Sequence, residues 1–373
     1  MKKILITATV QSHIAQFHIP LITMLKESGY EVHVAARNNL VEKNGLKLEG
    51  PDKIYDIPFD RSPYSKKNVE AYKQLKKILM ENRYEIVHCN TPVGGVITRL
   101  VAKRFRKYGM KVYYTAHGFH FYKGAPIQNW ILYYPIEKWL ARYTDKLITI
   151  TKEDYELASS KFKTNVYRIH GVGVSIKKYY PYDKDKIDYL KRQLGFSQDD
   201  FILLCTGELN KNKNQSTVIK AVSEIVKDIP NVKLLLAGNG PMEEKLKNLV
   251  CKLKIEQHVK LLGYRIDLEK YVNISDVIIS ASFREGLGLN IIEGMLCRKP
   301  VIASSNRGHR ELVKENATGY IVSPDNIKGF SHCILKFYTT KGQLKNWGDN
   351  SFKSVWRYTA DKVLEELKII YDD

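Results

Sequence analysis

The sequence predicts an α/β protein made of two doubly wound domains that face a cleft. Short apolar runs, rich in β-branched and aromatic residues, alternate with amphipathic stretches along nearly the whole chain. This order of strands and helices is typical of a parallel sheet that is covered by helices on both faces. The length of 373 residues agrees with two domains, because a domain commonly holds ~100–200 residues.

The first domain is predicted over residues 1–180. Its strands are brief runs of Val, Ile and aromatic residues, and its helices are the longer amphipathic stretches between them. The predicted strands are residues 4–9, 31–36, 86–89, 111–115, 146–150 and 166–169. The predicted helices are residues 17–28, 66–82, 94–107, 127–142 and 152–161.

A linker is predicted at residues 177–188, because this segment is dense in charge, contains Pro181 and lacks periodicity. The second domain follows over residues 186–354. Its predicted strands are residues 201–205, 233–237, 259–262, 277–280, 300–303 and 320–322. Its predicted helices are residues 214–227, 242–254, 268–273, 289–296 and 328–337. A final amphipathic helix is predicted over residues 352–371, and we expect residues 355–373 to pack back on the first domain.

The charge balance favours an anionic partner. Lys and Arg number 60 against 40 Asp and Glu, a net charge of +20. The excess is uneven, since residues 1–185 hold 31 basic and 17 acidic side chains (+14) and residues 186–373 hold 29 and 23 (+6). A basic half suits nucleic acid, a phosphate-rich substrate or an acidic membrane surface, and charge alone does not choose among them.

Targeting and redox signals point to the cytoplasm. No apolar run approaches the ~18–20 residues that span a bilayer, and the apolar start at residues 4–10 ends without a cleavage site of small residues. We therefore predict a first buried strand there. The five cysteines are scattered and form no CxxC pair, which argues against a disulfide framework or a zinc ribbon. We expect reduced thiols.

Several common site motifs of α/β enzymes are absent from the sequence. No GxGxxG follows a strand and no GxxxxGK[ST] occurs, which demotes dinucleotide oxidoreductases and P-loop enzymes. The chain also lacks HExxH, GxSxG and an EF-hand loop. The D-x-D of Asp183 and Asp185 lies in the Lys-rich linker, where a solvated charge run competes with a metal site.

The most informative stretch is SASFREGLGLNIIE, residues 280–293. A predicted strand leads into a loop with Glu285, Gly286 and Gly288, and a helix follows. The glycines let the backbone approach a ligand, and the first N–H groups of the helix favour an anion. Glu293 lies about one turn into this helix. Carboxylates repel phosphate, so the two glutamates indicate sugar hydroxyls flanking a diphosphate, as in a nucleotide-sugar. The alternative is a glycine-rich turn with two exposed glutamates.

In the setting S-x-x-E-G-x-G-x-x-x-x-E, Glu285 and Glu293 resemble the E-x7-E signature of retaining glycosyltransferases of family 4, which have the GT-B fold of two Rossmann-like domains. Other landmarks follow in the family's order across essentially the whole chain. They are Thr115-Ala116-His117-Gly118, Gly171-Val172-Gly173-Val174, Gly207-Glu208-Leu209 with Lys213, Gly238-Asn239-Gly240-Pro241 and Leu262-Gly263-Tyr264. Residues 117–126, 207–215 and 306–312 resemble bacterial enzymes that build capsule or exopolysaccharide.

The resemblance implies a reaction and a role for each matching residue. Lys213 would neutralise the leaving diphosphate of a UDP-sugar, and Glu293 would accept both ribose hydroxyls. Glu285 would orient the donor hexose, while His117 would contact the donor sugar and the incoming hydroxyl. The implied catalytic residues are His117, Lys213 and Glu285, and the implied donor-binding residues are Gly207, Gly238, Tyr264, Gly286, Leu287, Gly288, Leu289, Asn290 and Glu293. The leaving phosphate would accept the acceptor's proton, and we expect no metal and no other cofactor.

Two departures from the family pattern concern the phosphate side. The family usually has Arg where this chain has Glu208, and its first loop is often Gly-Gly where this chain has residues 10–13, VQSH. We expect Glu208 to turn away or to pair with a base such as Arg310. Further diphosphate or acceptor contacts are expected from Ser12, His13, His120, Arg307 and Arg310. For the two arginines, the alternative is an ordinary loop residue.

The acceptor side is predicted from charge and aromatic content. Residues 99–111 hold six basic side chains and no acidic one, and residues 119–143 are rich in Phe, Tyr and Trp. This combination suits the surface of an anionic leaflet, and the alternative is a half-buried helix with a solvated face. The predicted membrane face is Lys103, Arg104, Arg106 and Lys107. With the resemblance, it implies a polyprenyl-diphosphate-linked glycan acceptor and a protein peripherally associated with the inner face of the cell membrane.

Two other function classes stay open at this point. A GT-B enzyme of another reaction type, an epimerase or a phosphorylase-like enzyme, would use the same scaffold. A non-enzymatic basic protein that binds RNA or membranes would explain the net charge of +20. The aromatic residues do not follow the strand pattern of RNA-recognition modules, so we expect no nucleic-acid partner.

Overall fold

The computed structural model describes residues 2–43 and 45–373. The chain divides into two compact units, Met1–Gly173 with Ala360–Asp373, and Val174–Thr359. Each unit is an α/β structure around one parallel sheet, so the predicted class of two doubly wound domains is confirmed.

The first unit contains seven strands. Its first strand lies between two others and is buried from residue 4 to residue 10, as expected of a parallel strand that is covered on both faces. The strands are β1 (Lys2–Val10), β2 (Tyr30–Arg37), β3 (Lys53–Asp56), β4 (Ile86–Asn90), β5 (Lys111–Ala116), β6 (Lys146–Thr149) and β7 (Asn165–Arg168). The helices are α1 (Gln11–Phe17), α2 (Ile19–Glu27), α3 (Lys67–Glu81), α4 (Pro92–Ala102), α5 (Ile127–Leu140) and α6 (Lys152–Lys161).

The second unit contains six strands. They are β8 (Phe201–Thr206), β9 (Val232–Ala237), β10 (Val259–Gly263), β11 (Val277–Ser280), β12 (Val301–Ser304) and β13 (Gly319–Val322). Its helices are α7 (Lys184–Gln193), α8 (Gln215–Ile225), α9 (Glu243–Leu253), α10 (Leu268–Ile274), α11 (Leu289–Leu296), α12 (Arg307–Leu312), α13 (Ile327–Thr339) and α14 (Leu344–Val355). The last helix, α15 (Ala360–Asp372), belongs to the first unit.

The strand orders place one topological switch point in each unit. The first sheet runs β3-β2-β1-β4-β5-β6-β7 and the second runs β10-β9-β8-β11-β12-β13. The order therefore reverses between β1 and β4, and between β8 and β11, which are hydrogen-bonded neighbours. Ligands of open α/β sheets bind beyond the carboxyl ends of the strands at such points. We therefore expect ligand sites at the loops that leave these four strands.

The predicted linker at residues 177–188 is wrong. These residues lie within the second unit, and α7 begins at Lys184. The Asp183 side chain caps this helix by accepting the N–H of Lys186 at 2.8 Å, and Asp185 lies in its first turn, where a negative charge is favourable. The boundary between the units follows Gly173 instead. The dense charge of the segment reflects a helix start rather than a connection between domains.

Other predicted bounds change for local reasons. Strand β3 was missed because it is short and mostly exposed at the sheet edge. The first helix begins directly after β1, so the predicted loop at residues 10–13 enters α1. Helix α4 ends at Ala102, where the prediction carried it to residue 107. The predicted helix over residues 352–371 is interrupted by a 3₁₀ turn at Trp356–Tyr358.

The C-terminal helix is held to the first unit by polar contacts. On α15, Glu366 accepts from His170 Nδ1 at 2.5 Å, and the Tyr371 hydroxyl lies 2.5 Å from His88 Nδ1. We expected residues 355–373 on this unit, and the structure gives it residues 360–373. Among the residues that the structure describes, no helix is long and apolar enough to cross a membrane.

One buried ion pair links α4 to α5. Arg99 is 1% exposed and donates from Nη2 to Glu137 Oε2 at 2.8 Å, while its Nε donates to the Gly95 carbonyl at 3.0 Å. The guanidinium also lies 3.9 Å from the centre of the Tyr114 ring. Arg99 is the first residue of the basic run at residues 99–111, but it adds nothing to the surface charge because its charge is compensated inside the core.

We predict that Arg99→Met lowers the free energy of unfolding by about 3 kcal/mol or more, because it leaves the buried Glu137 carboxylate without its cation. Adding Glu137→Gln should recover most of the loss, since no unpaired charge then remains. Urea denaturation measures both changes. Equal losses in the single and double variants would show that packing around Arg99, and not charge compensation, accounts for its effect.

Candidate active site

An ion pair lies at the switch point of the second unit, where we expect its ligand site. Lys213 follows β8 and Glu285 follows β11, and Lys213 Nζ lies 2.6 Å from Glu285 Oε1. Both side chains are mostly buried, at 21% and 13% exposed. Burial raises the pKa of Glu285, but the Lys213 ammonium, together with His309 and a hydrogen bond from Ser282, brings the net pKa below the usual value. The Glu285 carboxyl group is therefore ionised at neutral pH.

Backbone and amide contacts tie these two loops together. Asn212 Nδ2 donates to the Arg284 carbonyl at 2.9 Å, and the Phe283 N–H donates to the Asn212 carbonyl at 2.8 Å. The Lys213 N–H donates to Asn210 Oδ1 at 2.9 Å. Because both loops are anchored near the charged groups, the position of Lys213 relative to Glu285 is set before any ligand arrives.

The glycines of the predicted donor site bring neighbouring loops into close contact. Gly238 has φ +143°, and a Cβ there would clash with the Gly207 carbonyl oxygen. Its N–H donates to the Gly263 carbonyl at 2.8 Å. The loops after β8, β9 and β10 therefore stack on one another, and Tyr264, the next residue, is 51% exposed at their edge.

Helix α11 begins at the same edge. Gly288, its N-cap, has φ +88°, which favours glycine, and a Cβ there would lie 3.2 Å from the His309 ring. Leu287 is buried, while the remaining predicted donor residues of this loop and helix start are partly buried, namely Gly286, Leu289 and Asn290. The amides of the first turn provide a preformed place for a negative charge.

Three buried polar atoms near this helix start have no hydrogen-bond partner among the described residues. They are Asn290 Oδ1, Thr206 Oγ1 and His309 Nε2. Asn290 is oriented by its Nδ2, which donates to the Thr206 carbonyl at 3.3 Å. Buried polar atoms are nearly always paired, so unpaired ones grouped at a helix start indicate a ligand site.

Glu293 lies one turn into α11 and contacts Tyr179, whose hydroxyl donates to the carboxylate. Burial raises the pKa of Glu293 to about 7, against the opposing effects of Lys178 and Tyr179. The carboxyl group therefore changes charge near neutral pH. Tyr179 was missed in the sequence because it lies in the segment that we interpreted as a linker.

The arginine expectations are only partly met. Glu208 is exposed and accepts from Asn210 Nδ2 at 3.0 Å, so it turns outward, and Arg310 donates to Ser305 Oγ instead. Of the two predicted alternatives for Glu208, the first, that it turns away, is therefore confirmed, and the second, a pairing with Arg310, is not. Arg307 opens α12 and is 5% exposed. The next residue, Gly308, packs against the Leu287 backbone, which brings α12 against the predicted donor loop.

The first unit gathers histidines at its own switch point. His13 follows β1, Asn90 ends β4, and His117 follows β5. His117 Nε2 lies 3.0 Å from Asn90 Oδ1, and the His13 and His117 ring centres are 4.8 Å apart. Burial lowers the pKa of His117 to about 4, so its ring is neutral at pH 7.

His18 completes this cluster from the start of α2, with its Nε2 3.2 Å from His13 Nε2. Burial lowers the pKa values of both rings. The ligand atoms of His13, His18 and His117 lie within 4.8 Å of one another, so these imidazoles could hold a divalent metal such as Zn²⁺. The expectation of metal independence stays a prediction.

The other predicted acceptor contacts lie near this cluster. Ser12 is buried, and its Oγ accepts from Asn39 Nδ2 at 2.9 Å. His120 stacks on Tyr133, with ring centres 4.6 Å apart. Ser12, His13 and His120 all line one cavity of about 690 Å³ in the first unit.

The four residues of the predicted membrane face have different environments. Arg104 and Lys107 are exposed. Lys103 lies over the rings of Trp139 and Tyr143, at 5.6 and 5.3 Å. Arg106 forms a two-pronged ion pair with Asp145, at 3.2 and 2.6 Å. Arg106 therefore stabilises the fold through this ion pair and also contributes to the surface charge.

Two family models and several known proteins match most of the chain. The family model described as glycosyl transferases group 1 matches residues 186–354, and the model described as glycosyl transferase 4-like matches residues 3–151. EpsD of Bacillus subtilis (strain 168), named as a glycosyltransferase, is 41% identical over 372 residues, covering 99% of this chain and 96% of EpsD.

A second relative is the UDP-Gal:alpha-D-GlcNAc-diphosphoundecaprenol alpha-1,3-galactosyltransferase of Escherichia coli. It is 27% identical over 315 residues, which cover 82% of this chain and 80% of the relative. Among solved structures, HepE of Anabaena in complex with UDP-glucose has a TM-score of 0.78 at 18% identity and covers 100% of both chains. Sucrose-phosphate synthase of Thermosynechococcus elongatus has a TM-score of 0.81 at 18% identity, with 100% and 98% covered.

The two family models, the 41% identity to EpsD over nearly the full length, and the shared two-domain fold lead to one conclusion. The chain belongs to the glycosyltransferases of the GT-B fold.

Proposed function

We propose that the protein transfers a hexose or N-acetylhexosamine from a UDP-sugar, with retention of anomeric configuration and without a metal, to a polyprenyl-diphosphate-linked glycan. The transfer would serve exopolysaccharide or capsule synthesis. The observation that carries the proposal is the Lys213–Glu285 ion pair at 2.6 Å beside the start of α11. It combines one cation for a phosphate with one carboxylate for a sugar.

The diphosphate of the donor binds between Lys213 and the first amides of α11. As the bond from the sugar C1 to the phosphate oxygen breaks, negative charge grows on the leaving UDP. A fixed ammonium and preoriented N–H groups stabilise that charge more in the transition state than in the ground state. The same groups supply the positive charge for which other enzymes use a metal ion, which supports a metal-independent reaction.

Glu285 faces the sugar. Its carboxylate is held by Lys213, so it can accept hydroxyl groups of the hexose and favour positive charge at C1 as the bond to UDP breaks. The acceptor hydroxyl attacks on the face that UDP leaves, and its proton passes to the departing phosphate oxygen. A neutral His117, with Nε2–H held by Asn90, orients the reacting groups without taking that proton.

We assign Glu293 and Tyr179 to the part of the site that binds the nucleoside of the donor. A carboxylate that accepts two ribose hydroxyls makes charge-assisted hydrogen bonds, which are stronger than neutral ones. Its partly buried position makes such bonds less exposed to competition from water. We assign the contact with the base to Tyr264, and its exposed ring at the edge of the stacked glycine loops supports this assignment.

The acceptor assignment draws on a relative and on surface chemistry. The Escherichia coli relative is named for UDP-galactose and for a diphosphoundecaprenol acceptor. In this chain, α5 exposes a stripe of apolar side chains on one face, spaced as neighbours on a helix. They are Ile127, Ile131, Leu132, Ile136 and Trp139.

The opposite face of α5 is apolar as well, since Trp130, Tyr133 and Tyr134 pack against the core of the first unit. A helix that carries large apolar side chains on its exposed face as well as on its buried face is suited to a partner for the exposed face. Lys103 and Lys138 lie over aromatic rings of this helix, and Arg104 and Lys107 are exposed nearby in sequence. Cations beside an apolar helical face fit the cytoplasmic surface of an anionic membrane.

We predict that Lys213→Gln lowers turnover by ~10²–10³-fold, because it removes the charge on the leaving group. The amide can still donate to Glu285, so the folded state should persist. Transfer of labelled sugar from UDP-sugar and a parallel thermal melt measure the two effects. Lys211→Gln, an exposed neighbour in the same loop, is the matched control. Unchanged turnover with a lower melting temperature would make Lys213 a structural residue.

We predict that the affinity for UDP rises as Glu293 loses its proton. Because the pKa of Glu293 is about 7, the carboxylate that binds ribose is scarce at about pH 6 and predominant at about pH 8, which gives up to ~10-fold in affinity. Calorimetry across this range measures the effect. Glu293→Gln should keep only the pH dependence of the UDP phosphate itself. The same pH dependence in both proteins would remove Glu293 from the nucleotide site.

We predict that Ile127→Ser with Ile131→Ser releases the protein from phosphatidylglycerol vesicles, by at least ~10-fold for each isoleucine that leaves the bilayer. Arg104→Glu with Lys107→Glu should weaken binding and reduce its salt dependence. Co-sedimentation measures both.

The control variant Ile266→Ser changes an equally exposed isoleucine of the second unit and should bind as the wild type does. Donor hydrolysis should be unchanged in all these variants. Vesicle binding that is insensitive to the α5 and the charge variants would rule out this face as the membrane surface.

A further inference from the structure

A cavity of about 690 Å³ lies in the first unit, bordered by α1, the start of α4 and the inner side of α5. This volume falls in the range of ~300–1,000 Å³ typical of sites that bind small organic molecules. Much of its wall is apolar. The apolar part of the wall includes Val93, Val96, Leu100, Tyr133 and Ile136.

One end of the cavity is polar and basic. Arg61 lines it with Ser12 and His13, and the exposed Arg61 side chain makes no hydrogen bond or ion pair with any residue that the structure describes. Burial, the neighbouring His117 and the Arg61 charge all lower the pKa of His13, so the ring beside Arg61 is neutral. A guanidinium without a protein partner at the mouth of a cavity is suited to bind an anion, especially a phosphate.

The apolar part reaches the outer face of α5. Ile136 lines the cavity and is also 40% exposed, so it belongs to both the cavity wall and the exposed apolar stripe of this helix. The one acidic group in the wall, Glu137, is compensated by Arg99 behind it. An apolar chain could therefore pass from a membrane at α5 into the cavity without crossing a charged barrier.

We propose that this cavity binds the chain of a prenyl diphosphate, with Arg61 holding the diphosphate and the wall from α4 and α5 holding the first isoprene units. The proposal rests on the proposed function, since it assigns the lipid part of the acceptor to a site. It explains why the apolar cavity, the unpaired cation and the exposed α5 face occur together in one unit.

Binding of farnesyl diphosphate to the full chain, followed by calorimetry, tests the proposal. Val96→Trp fills the cavity from α4 and should weaken binding by at least ~10-fold. Arg61→Gln should weaken binding of farnesyl diphosphate by ~10-fold or more but leave the weaker binding of farnesol unchanged. Val69→Trp, at an exposed position of α3, is the matched control and should bind as the wild type does.

A second cavity-filling variant and two further ligands decide between the remaining outcomes. Leu100→Trp fills the same cavity and replaces Val96→Trp if the latter unfolds. Wild-type affinity in the filled variants, or no binding of farnesyl diphosphate, overturns the proposal. Equal affinity for dodecyl phosphate overturns the isoprenoid assignment in favour of any alkyl phosphate. UDP binding of the wild type is measured in parallel and separates the two proposals. If the wild type does not bind UDP, the proposed function is contradicted, but the result with farnesyl diphosphate still decides the cavity proposal.

Discussion

The chemistry that we assign to the second unit depends on one ion pair, Lys213 with Glu285. The pair exists because β8 and β11 are neighbours at the point where the strand order reverses, so that the two loops leave the sheet side by side. Neither charge would be stable alone in its mostly buried position. Together they present a cation and a carboxylate at the start of α11, which suits a ligand with a phosphate on one side and hydroxyl groups on the other.

Periodicity and spacing were enough to predict the two sheets, nearly all strands, and the grouping of Glu285 with Gly288 and Glu293. These features are local, since a strand, a glycine turn and a helix start each follow from about ten neighbouring residues. The ion pair of Lys213 and Glu285 could be expected only as residues of one site, because the distance between them is set by sheet order. Contacts between distant segments escaped prediction for the same reason, as Tyr179 on Glu293 and His309 beside Gly288 illustrate.

Charge was the least reliable guide. The basic run at residues 99–111 was interpreted as suited to an anionic leaflet, but Arg99 is buried on Glu137 and Arg106 is paired with Asp145. A sequence shows how many charges a segment has and not which are compensated within the fold. The apolar outer face of α5 is in turn visible only once the inner face is known to be covered by the core. The membrane hypothesis therefore depends more on that helix than on the number of cations.

We propose that the second unit binds a UDP-sugar through the Lys213–Glu285 pair and the start of α11. A thermal-shift screen of UDP-, GDP- and ADP-sugars against the full chain tests it most directly, since a ligand at 100 times its Kd stabilises a protein by ~2.7 kcal/mol. We expect a clear rise in melting temperature with one or more UDP-sugars and with UDP. No shift with any nucleotide-sugar, or the same shift with Glu285→Ala and Glu293→Ala as with the wild type, would contradict it.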